Sequence, residues 1–128
     1  MATVHTPVLT LVSHDHDKRT ATVKVEYTLH QSTVERNLVG LQYRETIQLW
    51  GSDSPDPDDF LFSFATTFYT SVQGNVHIDR SRSVTLGDDV LDEDGFPRPT
   101  DEVYARVCVT PMMPTADCKN SNQIEHRF

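Results

Sequence analysis

The chain has 128 residues, 37% hydrophobic and 23% charged, with a formal net charge of −8. That length is most simply one domain, residues 1–128, able to bury a core without metal or disulfide staples. The acidic balance argues against nucleic acid, whose phosphates demand Lys and Arg, and against anionic membranes unless a bound cation reverses the local sign.

No apolar run approaches the roughly 20 residues of a membrane span. The N-terminus lacks the basic-then-apolar pattern of a secretory signal, so the sequence reads as cytoplasmic. Cys108 and Cys118 are too few for a disulfide framework; reduced thiols are the expectation, with a single bridge left for geometry to decide.

Period-two alternation dominates from the N-terminus onward. A strand is predicted over 7–13, then a polar turn from Ser13 to Arg19. Residues 20–30 alternate most clearly: Ala21, Val23, Val25, Tyr27 and Leu29 share one face, as in a strand between core and water. Gln31 to Gly40 is a connection in which Ser32-Thr33-Val34-Glu35 can cap one helical turn. Leu41, Tyr43, Ile47 and Leu49 form the next strand, with Glu45 a misfit on its apolar face. Residues 51–59 are a Pro/Asp loop that neither helix nor central strand tolerates.

In the aromatic run 60–70, Phe60, Phe62, Phe64 and Phe68 are expected to face the core. Trp50, Tyr69 and Tyr104 are expected on the opposite faces, where they suit carbohydrate stacking or a protein interface. Gln73-Gly74-Asn75 is a tight turn. Over 75–86, Arg80 and Arg82 share a face with Val76, Ile78, Val84 and Leu86; that conflict implies a bulge, an edge strand or a buried ion pair. Val103, Ala105, Val107 and Val109 mark another strand, and 122–128 the last.

Seven to eight short strands with half-polar faces predict an all-β, antiparallel β-sandwich with a Greek-key path, immunoglobulin-like or C2-like; a small barrel is the alternative. The Cys…Trp…Cys spacing of antibody domains is absent.

Charge clusters in two connections. The first holds Asp53, Asp56, Asp58 and Asp59; the second runs from Asp88 through Asp92, Glu93 and Asp94 to Asp101 and Glu102. Together they carry eleven of the nineteen acidic residues and one basic residue, Arg98. Two carboxylates about 5 Å apart repel by roughly 0.8 kcal/mol in water and roughly 3 kcal/mol at an effective dielectric near 20. Such loops stay solvated or take a hard cation; Ca²⁺ accepts six to eight oxygens from flexible connections.

The stretch Val90-Leu91-Asp92-Glu93-Asp94-Gly95-Phe96, followed by Asp101-Glu102-Val103, resembles the calcium loop of C2 domains, over residues 90–107 only. There an Asp-x-Asp pair ends a strand and a further acid precedes the next. The resemblance implies a calcium-binding sandwich with Asp92, Asp94 and Asp101 as ligands, joined by Asp56, Asp58 or Asp59 from the first connection. Asp56-Pro57-Asp58 only echoes the Asp-Pro-Tyr of that family, and its polybasic strand is missing, so membrane binding is not carried over.

His14-Asp15-His16-Asp17 places two imidazoles on one side of an extended chain, the HxH arrangement that ligates Zn²⁺ or Fe²⁺. Cupin-type barrels follow HxH with a Glu; Lys18, Arg19 and Thr20 stand here instead. A third ligand would come from elsewhere, such as His30 or His77. His77, Asp79, Ser81, Ser83 and Thr85 alternate on one face, as any solvated strand does, and no nucleophile elbow, phosphate loop, HExxH or CxxC is present.

These residues point to a non-enzymatic binding or assembly module, with divalent-cation binding as its specific activity and a protein partner or self-association expected. A purely structural sandwich and a small metallo-barrel or ligand-binding protein built on His14 and His16 are the other readings.

Overall fold

In the strand Thr20–His30, Ala21, Val23, Val25, Tyr27 and Leu29 are all buried, and the side chains between them face outward. The pleat makes that alternation, and each fully buried Val or Leu contributes about 1.5–3 kcal/mol. The computed structural model describes residues 2–52, 57–92, 101–112 and 117–128, and of Asp101 the backbone alone. Among them are eight strands: β1 (Thr3–Asp15), β2 (Thr20–His30), β3 (Gln42–Gly51), β4 (Asp59–Ser63), β5 (Thr67–Thr70), β6 (His77–Gly87), β7 (Asp101–Pro111) and β8 (Asp117–His126). A 3-10 turn covers Glu35–Asn37, and a one-turn helix, α1, covers Asp88–Leu91.

The strands form two antiparallel sheets, β1-β2-β6 and β4-β3-β7-β8, with β5 also pairing β3. Val4, Leu9, Val25 and Leu29 from one sheet meet Tyr43, Ile47, Leu49, Val103 and Val107 from the other in one core. The expected all-β sandwich is therefore present, as two layers rather than a closed barrel. The chain changes sheet between β2 and β3, between β5 and β6, and between α1 and β7.

Side chains close one flank. Edge strands β1 and β8 do not pair by backbone. Instead the Leu9 N–H donates to Asn122 Oδ1 (2.8 Å), Asn122 Nδ2 donates to the Leu9 carbonyl (3.0 Å), and the Val4 N–H donates to Asp117 Oδ2 (2.8 Å). Three of the edge groups that strand β1 would otherwise leave unpaired are thereby satisfied.

The two misfits of the alternation are one interaction. Glu45 on β3 is fully buried. Arg80 Nε (3.2 Å) and Arg82 Nη1 (3.3 Å), from β6 in the facing sheet, donate to its two carboxylate oxygens. The Tyr27 hydroxyl and Thr67 Oγ1 (3.1 Å) donate as well. Arg80 also lies over the Tyr69 ring, 4.2 Å from its centroid. Of the three explanations open for Arg80 and Arg82, the ion pair holds, on a strand that is also a sheet edge; the β2–β6 register runs without a bulge.

The capping reading of 32–35 is reproduced: Ser32 Oγ accepts from the Glu35 N–H (3.2 Å), and Glu35 Oε1 accepts from the Ser32 N–H (3.2 Å) and hydroxyl (2.6 Å). Burial would raise the Glu35 carboxyl, but these bonds and one from Ala2 hold it below the usual carboxylate range. Gly74 takes φ +81°, and the Asn75 N–H closes the tight turn onto the Val72 carbonyl.

Three expectations fail. The 60–70 run is two strands, β4 and β5; a register shift against β3 between Phe60 and Phe62 takes Phe60 out of step, and the break between the strands resets the parity for Phe68 and Tyr69. Phe60 and Phe68 are 53% and 55% exposed, while Tyr69 packs inward, its ring 5.5 Å from that of Tyr43. Asp88–Leu91 is helical rather than loop, because Leu91 reaches the core and is fully buried. Cys108 and Cys118 are not reduced: they sit directly opposite each other on β7 and β8, Cα atoms 4.1 Å apart, and are joined by a disulfide.

Glu45→Gln is expected to destabilise the fold by about 3–5 kcal/mol, because it leaves two guanidinium groups without their shared buried counter-charge. Replacing Glu45, Arg80 and Arg82 together by apolar residues should cost less than that single change; urea unfolding of the two variants checks the order. Reducing the disulfide should cost about 3 kcal/mol by loop-closure entropy, read as a lower melting temperature in reductant.

Candidate functional site

Backbone pairing decides which connections share an end of the sandwich. Gly51, the last residue of β3, pairs with both Asp59 at the start of β4 and Val103 near the start of β7, and the Ser52 N–H donates to the Glu102 carbonyl (2.8 Å). Both acidic connections therefore open from one pole. Asp101 pairs with His126, which brings the end of β8 there. Thr20 pairs with both Asp15 and Gly87, and the Asp88 N–H donates to the Arg19 carbonyl (2.8 Å), which adds the β1–β2 turn and α1.

His14 is the hub of this pole. Its side chain is only 6% exposed. Nε2 faces both oxygens of Asp88 at 2.8 Å, and Nδ1 lies 2.8 Å from Nε2 of His126. The Asp88 carboxylate favours the His14 tautomer with its hydrogen on Nε2, which turns the Nδ1 lone pair toward His126. The His16 ring stands 4.1 Å from that of His14, and Phe128 flanks His126 with ring centroids 4.9 Å apart. A cavity of about 830 Å³ opens over the group, lined also by Asp89, Asp92, Glu125, Arg19 and Arg127.

Of the expected cation ligands, Asp92 is exposed, follows α1 and lines this cavity. Asp58 is exposed and accepts from the Tyr104 hydroxyl (2.6 Å); Asp59 is exposed at the head of β4. Asp101 begins β7, its side chain outside the described residues, and Asp56 and Asp94 lie outside them altogether. Among the described residues no three His, Cys, Asp or Glu side chains already converge on a metal position.

His30 and His77 do not supply a third ligand to His14. In the antiparallel hairpin His14 pairs next to the turn, with Ala21, whereas His30 pairs with Thr3 at the far end of an 11-residue strand, about 30 Å away. There His30 stacks on His5 (centroids 3.6 Å) and meets His77 edge-on (4.2 Å). Partial burial, and then the two neighbouring rings, hold His30 below the usual histidine range. The alternating array on β6 is engaged in cross-strand bonds: Asp79 accepts from Thr28 (2.7 Å) and Thr85 bonds Thr22 (2.7 Å).

Sequence reasoning missed Asp88 and His126 as partners of His14. They lie 74 and 112 residues away along the chain, and only strand order joins them. Trp50 and Tyr104, expected as exposed aromatics, are half-buried: Trp50 packs edge-on against Phe60 and Tyr104 is tied to Asp58.

No protein-family model matches the chain, and no curated protein matches it significantly. Among solved structures it is similar to a crystal structure given as the ApaA protein of Bordetella pertussis, at 7% identity and a TM-score of 0.41 over 98% of this chain and 90% of that one. A likeness of that degree carries no argument about function. No helix among the described residues is long and apolar enough to cross a membrane.

All four tyrosines are shifted in one direction. Burial, and then Tyr69 and Glu45, raise Tyr27; burial, and then Glu35, raises Tyr43. Burial pushes Tyr69 up to about 12 despite its bond to Tyr27, and burial with Asp58 pushes Tyr104 up to about 12. Folded values above the unfolded value near 10 mean stability that is fully present below pH 10 and lost as pH rises through about 12. In an alkaline titration phenolate absorbance should therefore appear together with loss of structure. A phenol of the folded protein ionising near pH 10 would contradict this.

Proposed function

We propose that this chain is a non-enzymatic β-sandwich binding module whose acidic pole takes a divalent cation of the calcium class. One observation carries the reading: Gly51 pairs with the strands that follow both acidic connections, so the ends of both connections meet at one pole. Of the expected ligands, Asp58, Asp59 and Asp92 are among the described carboxylates there, and Asp56, Asp94 and Asp101 are the further ligands the sequence offers. The ion would relieve mutual repulsion and order the connections.

The strand partition supports an immunoglobulin-type rather than a C2-type sandwich: of the six long strands, β1, β2 and β6 share one sheet, and β3, β7 and β8 the other. The cation reading thus leans on the shared pole and not on the resemblance of residues 90–107. The bridged cysteines support an oxidising compartment rather than the cytosol. A protein partner fits the far pole, where Leu38, Val39 and Met112 line a shallow hollow and Val39 is 80% exposed.

A thermal melt in EDTA and then in Ca²⁺ tests the cation. At 100 times its dissociation constant the ion should add about 2.7 kcal/mol, and the double variant D59N/D92N, changed at two exposed positions, should lose that gain. An unchanged melting temperature removes the reading.

A further inference from the structure

We propose that His14, His126 and His16 form a site for a divalent transition-metal ion of the zinc class, with Asp88 as the carboxylate behind it. The site is separate from the calcium reading: its ligands are imidazoles, and it uses none of the carboxylates assigned there to Ca²⁺ as a ligand.

Asp88 is placed as an outer carboxylate should be. Metal-bound histidines usually donate their second ring N–H to a carboxylate, which fixes the tautomer and the ring orientation. His14 does so through Nε2, at 2.8 Å from each Asp88 oxygen, and its Nδ1 lone pair is thereby aimed into the gap toward His126 Nε2. Across that 2.8 Å gap the two rings are within hydrogen-bond distance. An ion with Zn–N bonds of about 2.0–2.1 Å in tetrahedral geometry needs its nitrogens about 3.3 Å apart. A side-chain opening of roughly half an ångström converts the hydrogen-bonded pair into a chelating one; loading needs the Nε2 proton of His126 to leave that nitrogen, the ring binding as its neutral Nδ1–H tautomer.

The third ligand is His16. Its ring already stands 4.1 Å from His14 and 6.4 Å from His126. It lies in the exposed β1–β2 turn, where rotation toward the gap disturbs no core packing. That rotation is required, because no three ligands converge in the present arrangement. The cavity of about 830 Å³ gives the ion a path and a fourth position for water, and Asp89 and Asp92 on its wall draw cations inward against Arg19 and Arg127.

The full-length chain, titrated with Zn²⁺ against a chromophoric chelator and with Co²⁺ by visible absorption, tests the proposal. One ion per chain and tetrahedral Co²⁺ bands are expected. H126Q and H16Q should remove both, and D88N should weaken binding about 10–100-fold. H30Q, in the histidine group at the opposite pole, should leave both unchanged. H16Q alters an exposed turn residue, so its result stands even if H126Q does not fold. Failure to bind one ion, binding that survives H16Q and H126Q, or binding lost in H30Q overturns the site. If zinc binds as described while Ca²⁺ leaves the melt unchanged, only the calcium reading falls; the reverse pattern removes only this one.

Discussion

The structure depends on a carboxylate placed where an apolar side chain was expected. Glu45 projects from the middle of the five-stranded sheet into the core, and the three-stranded sheet answers with Arg80, Arg82 and Tyr27. Apolar contacts between sheets tolerate sliding, because dispersion and burial are nearly indifferent to small offsets. Two guanidinium bonds to separate oxygens of one buried acid are not indifferent. They fix which residue of β6 faces which residue of β3, and with it the angle and offset of the layers. A shift of one residue would turn both arginines outward and leave a charge in the core.

The relative placement of the layers decides what meets at the acidic pole. His14 belongs to one sheet and His126 to the other, while Asp88 lies on the helical turn that leaves β6. The 2.8 Å contact between His14 and His126 exists only if the sheets hold their offset. The charged lock in the core and the polar group at the pole are thus linked through strands β1, β6 and β8. Leu91 adds to this by anchoring α1 in the core, which holds Asp88 against His14.

Much of the fold was legible because alternation is a local signal. Residues 20–30 and 103–109 carry it cleanly, and the reciprocal bonds of Ser32 and Glu35 follow from their spacing. Glu45, Arg80 and Arg82 were visible as misfits but not as partners, since 35 and 37 residues separate them. The aromatic run misled because parity survives only within one uninterrupted strand, and this run carries a register shift between Phe60 and Phe62 and a break between Ser63 and Thr67. The cysteine bridge depended on β7–β8 register, which composition does not encode. At the candidate site, the crowding of acids was plain and the HxH pair was noticed. Asp88 was read as one more loop acid and His126 as a terminal strand residue, because long-range strand order alone makes them neighbours of His14.

The amide of Asn122 stands in for a missing strand. It offers β1 the acceptor and donor that a neighbouring backbone would, at the place where a foreign extended peptide would otherwise add itself. Recruitment by strand addition, and runaway polymerisation by the same route, meet an occupied ladder on that flank. On the three-stranded sheet the outer backbone of β6 has no strand partner among the described residues, so a peptide that extends this sheet would run alongside Arg80 and Arg82 and sense the state of the buried lock.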